Sequence, residues 1–264
     1  RNYLSGDQRA FLAAGGMGEI LEAEHVERGQ RVVVKLLHRH HLGRRDLADR
    51  LRLEGEALGV VEHPNVVAVV GSGVTADERP FLVLERLAGR TLRAELSARG
   101  SLPAAEAIDL VAQALDGLGA VHRAGLVHRD VKLDNLFVCD AEPGRGRALK
   151  LLDLGVAKLT DGASPAPLAV PTAEGVSMGT PRFFSPEQAT GAPLDARSDL
   201  YAVGLVLFAL VTGRTPFEHL RGVDAVVAAH AHDAPDPPSR HAREPLPPGL
   251  EGAILKSLAK RPED

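Results

Sequence analysis

His128-Arg129-Asp130-Val131-Lys132-Leu133-Asp134-Asn135 crowds charged and amide side chains into one short stretch directly ahead of the apolar Leu136-Phe137-Val138. A solvated surface face does not lead straight into a buried strand, so this stretch reads as a loop that points chemistry into a cleft. Further on, the run Ala148-Leu149-Lys150-Leu151-Leu152 ends in Asp153, with Leu154-Gly155 after it. A carboxylate at a strand end beside a glycine is well placed to hold a metal ion. Mg²⁺ is usually held by one or two carboxylates plus substrate phosphates, and Asn135 with Asp153 makes such a ligand pair. Each residue also has a bland reading, in which Asp130 caps a turn, Asn135 satisfies a loop and Asp153 ends a strand. Their joint order argues against it.

Toward the N-terminus the pattern is that of short strands. Glu19 to His25 alternates, Arg28-Gly29-Gln30 turns, and Arg31 to Leu37 carries the β-branched run Val32-Val33-Val34, which together predict a hairpin. Ala14-Gly15-Gly16-Met17-Gly18 is either a plain turn or a loop whose amides cradle phosphate. A dinucleotide-binding fingerprint would need a helix directly after the glycines, and a Walker loop would need Gly-Lys-Ser/Thr; neither is present. A glycine flap between strands, with Lys35 on the next strand, is the phosphate-binding option that remains. A lysine within a β-branched run is costly to bury unpaired, unless it snorkels to a strand edge. Residues 46 to 61 predict a helix, from Leu47, Leu51, Leu58 and Val61, ending before His63-Pro64-Asn65. That helix offers Glu54 and Glu56 as partners for Lys35.

Two further strands are predicted, Val66 to Val74 and Pro80 to Leu84, and helices follow at Ala104 to Ala124, Leu200 to Thr212 and Leu250 to Ala259. The Pro-rich segment from Pro235 to Pro248 reads as a connecting loop. A strand-rich beginning and a helix-rich remainder predict two lobes joined near residues 85 to 89. The chain has 264 residues, 31 Lys plus Arg against 35 Asp plus Glu, and 44% apolar residues. This near-balance provides no basic field for nucleic acid or anionic lipid, so no nucleic-acid partner and no membrane contact within this fragment are expected, with a membrane anchor elsewhere in a longer protein left open. One cysteine, Cys139, cannot form an internal disulfide, and a cytoplasmic setting is expected. The apolar Leu200 to Thr212 is too short to span a bilayer. Residue 1 is Arg and no charged-then-apolar leader follows, so a fragment without a signal peptide is expected.

With these motifs in view, the chain from about Ala13 onward resembles a bacterial eukaryotic-like (Hanks-type) Ser/Thr protein kinase catalytic domain. Gly15 and Gly18 match glycines of the nucleotide-covering loop, Lys35 the phosphate-contacting lysine, and Glu54 its partner on the small-lobe helix. Asp130, Lys132 and Asn135 match the catalytic loop, and Asp153 matches the metal-binding aspartate of the Asp-Phe-Gly motif. Gly179-Thr180-Pro181 and Ser185-Pro186-Glu187-Gln188 resemble the end of the activation segment. Asp195 to Tyr201 resembles the start of the large lobe's central helix.

The resemblance implies an α+β, bilobal fold. A small, mainly antiparallel β N-lobe with one helix (about 1–84) would lead through a hinge (about 85–89) into a larger, mainly α C-lobe (about 90–264) that ends short of the family's usual terminus. It implies ATP and Mg²⁺, with Mn²⁺ as an alternative, protein substrates, and room for a homodimer that phosphorylates itself in trans. Asp130, Lys132, Lys35 and Glu54 would be catalytic, and Asn135 and Asp153 would bind metal. Gly15, Gly16, Gly18, Ile20, Val33, Lys35, Leu84, Glu85, Leu87 and Phe137 would bind the nucleotide. Adenine would lie between Ile20 and Val33 above and Phe137 below, its edge on the backbone of Glu85 to Leu87 and Leu84 as gatekeeper. Arg129 would pair with a phosphorylated activation segment, with Thr172 and Ser177 as its autophosphorylation sites and Glu174 between them as a partial substitute.

Departures from the pattern are Ala13, Val33, Leu133 and Leu154, none of which removes a charged group. Leu154 is expected to fill an apolar slot against Leu58, Val69 and His128. The chain also stops before the arginine that would pair with Glu187, which predicts a less stable large lobe. A pseudokinase scaffold and a small-molecule phosphotransferase are the rival readings. Retention of Lys35, Glu54, Asp130, Asn135 and Asp153 argues against the first, and Ser185-Pro186-Glu187 with Lys132 against the second.

Overall fold

Alternation in the first third builds a sheet, as expected, in a computed structural model that describes residues 10–14, 18–141, 146–154 and 181–264. Its strands are β1 (Ala10–Ala14), β2 (Gly18–Glu24), β3 (Arg31–Leu37), β4 (Val69–Val74) and β5 (Pro80–Glu85). They are antiparallel in the order β1-β2-β3-β5-β4. Val32, Val34 and Leu36 face one side of β3 and join a small outer core with Leu21, Ala23 and Val83. The intervening Val33 and Lys35 therefore face the other side. Gly18 has a packing reason of its own, since a Cβ there would lie 2.4 Å from the Leu36 carbonyl oxygen of the paired strand.

Helix α1 (Arg45–Gly59) lies on this sheet and buries Leu47, Leu51, Glu54, Gly55 and Leu58. Gly55 permits close approach to β5, because a Cβ would sit 2.8 Å from Leu82 Cδ1. The fourth strand begins at Val69 rather than the expected Val66. Backbone ahead of it is claimed by the other lobe: the Val67 N–H donates to the Leu151 carbonyl at 2.9 Å, and the Leu151 N–H to the Asn65 carbonyl at 2.8 Å. Val66 and Val67 are accordingly buried in the main core.

The second lobe opens with β6 (Gly89–Thr91) and α2 (Leu92–Arg99), continues through α3 (Ala104–Arg123), and forms a small sheet from β6, β7 (Leu136–Cys139) and β8 (Leu149–Leu151). Then come α4 (Pro186–Thr190), α5 (Ala196–Thr212), α6 (Val223–His232) and α7 (Leu250–Ser257). The central helix starts a turn earlier than its apolar run, because the Asp195 side chain accepts the Arg197 N–H at 2.8 Å and caps it. Helices α2 and α6 were not legible as periodic segments; a Thr91 hydroxyl accepting the Ala94 N–H caps the first. Main-core residues run without a break from Leu47 and Leu58 through Val66 and Leu151 to Phe208 and Ile254, with Leu154 among them and Val69 packed against them. Glu187 accepts a hydrogen bond from the Ser198 hydroxyl at 3.2 Å.

Between α5 and α6 lies a buried polar chain. The Lys260 ammonium donates to the Tyr201 hydroxyl at 3.0 Å, and that hydroxyl meets His230 Nδ1 at 3.2 Å. Burial, with the Lys260 charge adding to it, drives the His230 pKa down to about 3 against a weaker upward pull from the Arg182 carbonyl. An imidazole with a folded pKa below its unfolded value of about 6.5 binds fewer protons when folded. Its contribution to stability is full above about pH 6.5 and is lost as pH falls toward 3. We expect roughly 3 kcal/mol of that contribution to be gone by pH 4.5. Urea midpoints across this range should show a shallower slope in His230→Gln; an unchanged slope would refute the assignment.

Candidate functional site

Lys35 stands on the cleft-facing side of β3, where its ammonium has two carboxylates within reach. Its Nζ donates to Glu54 Oε1 at 2.8 Å and Oε2 at 3.1 Å, and lies 3.0 Å from Asp153 Oδ1. Glu54, not Glu56, is the partner; Glu56 is exposed and takes Arg52 one turn back along α1 at 2.6 Å. Burial works against the Lys35 charge, yet Asp153 and Glu54 outweigh it and hold the lysine pKa above its ordinary value. Burial raises the Glu54 carboxyl, and the nearby Asp153 adds to the rise while Lys35 offsets part of it. Asp153 pays a desolvation cost as well, but Lys35 keeps its pKa low. Two carboxylates thus share one ammonium, and Asp153 keeps the negative charge more firmly.

Asp130 lies in the second lobe, where its Oδ2 accepts from Lys132 Nζ at 2.7 Å and from Asn135 Nδ2 at 2.8 Å. The same Asn135 amide donates to the Asp130 carbonyl at 2.9 Å, and the Asn135 carbonyl accepts the Leu152 N–H at 2.8 Å. Residues 130–135 are thereby laced to the segment that ends in Asp153. Leu133, one of the departures noted above, is fully buried. The fully buried His128 ring meets the Leu152 carbonyl through Nε2 at 3.1 Å and the Asp130 N–H through Nδ1 at 3.4 Å. Arg129 and Asp153 have φ of 64° and 30°, left-handed conformations that a non-glycine residue holds only where its surroundings impose them.

What holds Arg129 there is a residue to which the sequence analysis gave no role beyond its place in the Asp195-to-Tyr201 start of the central helix. Asp199, 1% exposed on α5, accepts the His128 and Arg129 N–H groups, each at 2.8 Å, and contacts His122 Nε2 at 2.8 Å. Gln188 assists: its side-chain amide donates to the Arg129 carbonyl at 2.8 Å, while a reciprocal cap with Ser185 holds it in place. The available signal was the charge itself, since an aspartate in a helix buried nearly all round needs donors.

Of the remaining expected residues, Ile20, Val33, Leu87 and Phe137 are half-buried, and Leu84 is buried. Ile20 pairs with Lys35 and Val33 with Leu84 in the sheet, and Thr91 pairs with Phe137 in the smaller one. Glu85 ends β5, and its side chain turns to Lys150. Gly15, Gly16, Thr172, Glu174, Ser177 and Thr180 lie outside the described residues, as does all of the segment 155–180. Among the described residues no helix is long and apolar enough to cross a membrane.

Comparison with known proteins bears on the family and the fold. The pattern described as Protein kinase domain matches residues 8–243. Serine/threonine-protein kinase Pkn1 of Myxococcus xanthus is 39% identical over 253 residues, which are 96% of this chain and 35% of that protein. Serine/threonine-protein kinase PknB of Mycobacterium leprae is 35% identical over 264 residues, covering 96% of this chain and 39% of that one. The chain therefore spans little more than a third of the length of these relatives. Among solved structures, the PknI kinase domain of Mycobacterium tuberculosis superposes with a TM-score of 0.70 at 20% identity, covering 98% of this chain and 91% of that one, a likeness of fold.

Proposed function

The chain belongs to the protein kinase domain family, and from that premise we propose that it transfers the γ-phosphoryl group of Mg-ATP to Ser and Thr hydroxyls of proteins. The observation that carries this reading is the ion pair of Lys35 with Glu54, extended to Asp153 of the other lobe at 3.0 Å. An ammonium held between the lobes by Glu54 and Asp153 is what a triphosphate needs for positioning and charge neutralisation. Relatives that cover nearly all of this chain carry the name serine/threonine-protein kinase, which favours protein hydroxyls as acceptors.

The donor set fits a hard divalent cation. Asp153 already takes a cation, the Lys35 ammonium, on Oδ1, and oxygen ligands from Asp153 and Asn135 suit Mg²⁺. Bound there with the nucleotide, the ion would offset negative charge on the triphosphate. Lys35, held by Glu54, would orient the α- and β-phosphates, and Lys132 the γ-phosphate. Asp130, with Oδ2 fixed by Lys132 and Asn135, would align the acceptor hydroxyl and take its proton as that oxygen bonds to phosphorus and ADP leaves. Ile20 and Val33 would cover the purine and Phe137 would lie under it. The Glu85 N–H is engaged by the Ala68 carbonyl at 3.0 Å, so the Glu85 carbonyl would serve the purine edge. Arg129 would receive a phosphate on Thr172 or Ser177, an ordering switch built from charge-assisted hydrogen bonds.

The test is transfer of label from γ-labelled ATP with Mg²⁺ to the chain itself and to a generic basic protein, followed by mapping of the labelled residues. Label on Ser or Thr of either protein is expected, with Thr172 or Ser177 modified in the active chain. Nucleotide binding without label would favour a scaffold, and transfer to sugars or aminoglycosides alone a small-molecule phosphotransferase.

A further inference from the structure

The helical turn Pro181–Phe183, which leads into α4, is tied to both flanks of Asp130. On one flank Gln188 of α4 donates to the Arg129 carbonyl at 2.8 Å. On the other, the Arg93 guanidinium stands 5.8 Å from the centre of the Phe183 ring and reaches Asp134 Oδ2 at 3.2 Å. The turn thus borders the place where an acceptor hydroxyl would meet Asp130. Away from that place it is held by Glu218, 3.3 Å from the Arg182 guanidinium, and by the His230 ring, which bonds the Arg182 carbonyl. The Tyr201 hydroxyl occupies His230 Nδ1 at 3.2 Å, so the proton given to Arg182 is on Nε2. An ammonium only donates, so the Tyr201 hydroxyl accepts from Lys260 at 3.0 Å and gives its own proton to Nδ1. Every bond then points one way, from Lys260 through Tyr201 and His230 to the Arg182 carbonyl. The ammonium's other two donors go to the Ala229 and His230 carbonyls in the last turn of α6, at 3.3 and 3.0 Å. Tyr201 is 4% and His230 1% exposed, so water does not stand in for a missing link.

We propose that Lys260, Tyr201 and His230 are positioning residues for the protein acceptor: their chain of hydrogen bonds fixes the Arg182 carbonyl, and with it the ledge along which the segment carrying the acceptor hydroxyl lies. The proposal rests on the kinase reading above. A broken link leaves a buried donor or acceptor unpaired. The turn gives way before α5 does, because α5 is buried on nearly every side and the turn is held by a few side chains. A displaced ledge weakens the grip on the acceptor and leaves the nucleotide, the metal ligands and Asp130 where they were. The acceptor KM then rises with kcat and the ATP KM unchanged, the signature of lost uniform binding.

The experiment measures steady-state transfer of label from γ-labelled ATP with Mg²⁺ to a generic basic protein, varying first the acceptor and then ATP. Tyr201→Phe and Lys260→Met should each raise the acceptor KM by about 3–10-fold, the scale of one lost buried hydrogen bond. Their kcat and ATP KM should stay within about twofold of wild type. His230→Gln, whose amide donates to the Arg182 carbonyl from the Nε2 position, should stay within about threefold in acceptor KM, whereas His230→Leu should lose as much as Lys260→Met. The double variant Tyr201→Phe/Lys260→Met should be no worse than the worse single one, because both break one chain. If Lys260→Met or His230→Leu does not fold, Tyr201→Phe, which deletes a single buried oxygen, carries the test. A merely destabilised variant has fewer active molecules, which lowers kcat and leaves KM alone. Wild-type chain that transfers no label overturns the kinase reading and this proposal with it. Wild-type transfer with the acceptor KM unchanged in Tyr201→Phe and Lys260→Met overturns the proposal alone, and so does a fall in kcat without a rise in KM.

Discussion

Asp130→Asn is expected to lower phosphoryl transfer by about 10³-fold, the scale of a positioned general base, while nucleotide binding stays within about twofold. The substitution preserves shape and removes only the carboxylate's charge and basicity. Asn135 and Lys132 each donate to Asp130 Oδ2, and an amide oxygen in the same place accepts both bonds. Backbone on either side is held independently, by the Asn135 amide on the Asp130 carbonyl and by Asp199 on the residues before it. The fold should survive, with a thermal midpoint near that of the parent chain. Label transfer and nucleotide titration run on the same preparation decide the matter. Transfer within about tenfold of wild type would remove Asp130 from the chemistry.

Asp199→Ala should be the most damaging single change to stability, costing about 3 kcal/mol in urea unfolding. It strands the His128 and Arg129 N–H groups, both of which point into the core at a carboxylate that is 1% exposed. The His122 ring loses its partner as well. Activity should fall further than stability alone explains, because Arg129 keeps its positive φ through these bonds and Asp130 follows directly from it. Asp199→Asn should fall between the two, since one oxygen remains to accept and the new NH₂ group faces a donor. An unchanged urea midpoint in Asp199→Ala would show that the loop is held by other means, with Gln188 on the Arg129 carbonyl the first to examine.

The site was legible where chemistry forces residue types into a short span of chain. The stretch from Asp130 to Asn135, and a Lys35 in need of Glu54 or Glu56, could be read from charge placed within apolar pattern; the resemblance singled out Glu54, and the structure brings Asp130 onto Asn135 and Lys35 onto Glu54. Asp199 and Glu85 were not legible in the same way. Asp199 meets donors 70, 71 and 77 positions away and Glu85 donors 17 and 65 positions away, and nothing in a local pattern says which distant donor a carboxylate will meet. The start of β4 was misplaced for the same reason. Val66 and Val67 have the β-branched character of strand residues, and they do pair in extended backbone, but with Leu151 of the other lobe.

By itself, then, the sequence determined the alternation and helical periodicity of the main elements, the order of the motifs, and which side chains carry charge into a buried setting. Those follow from local rules of pitch, pleat and desolvation. Tertiary structure alone decided how Asp199 and Gln188 shape residues 128–130, and that the Glu85 side chain spans to Lys150. Each of these is a choice among donors and acceptors equally available along the chain, and it is settled by which of them packing brings within about 3 Å and strips of water.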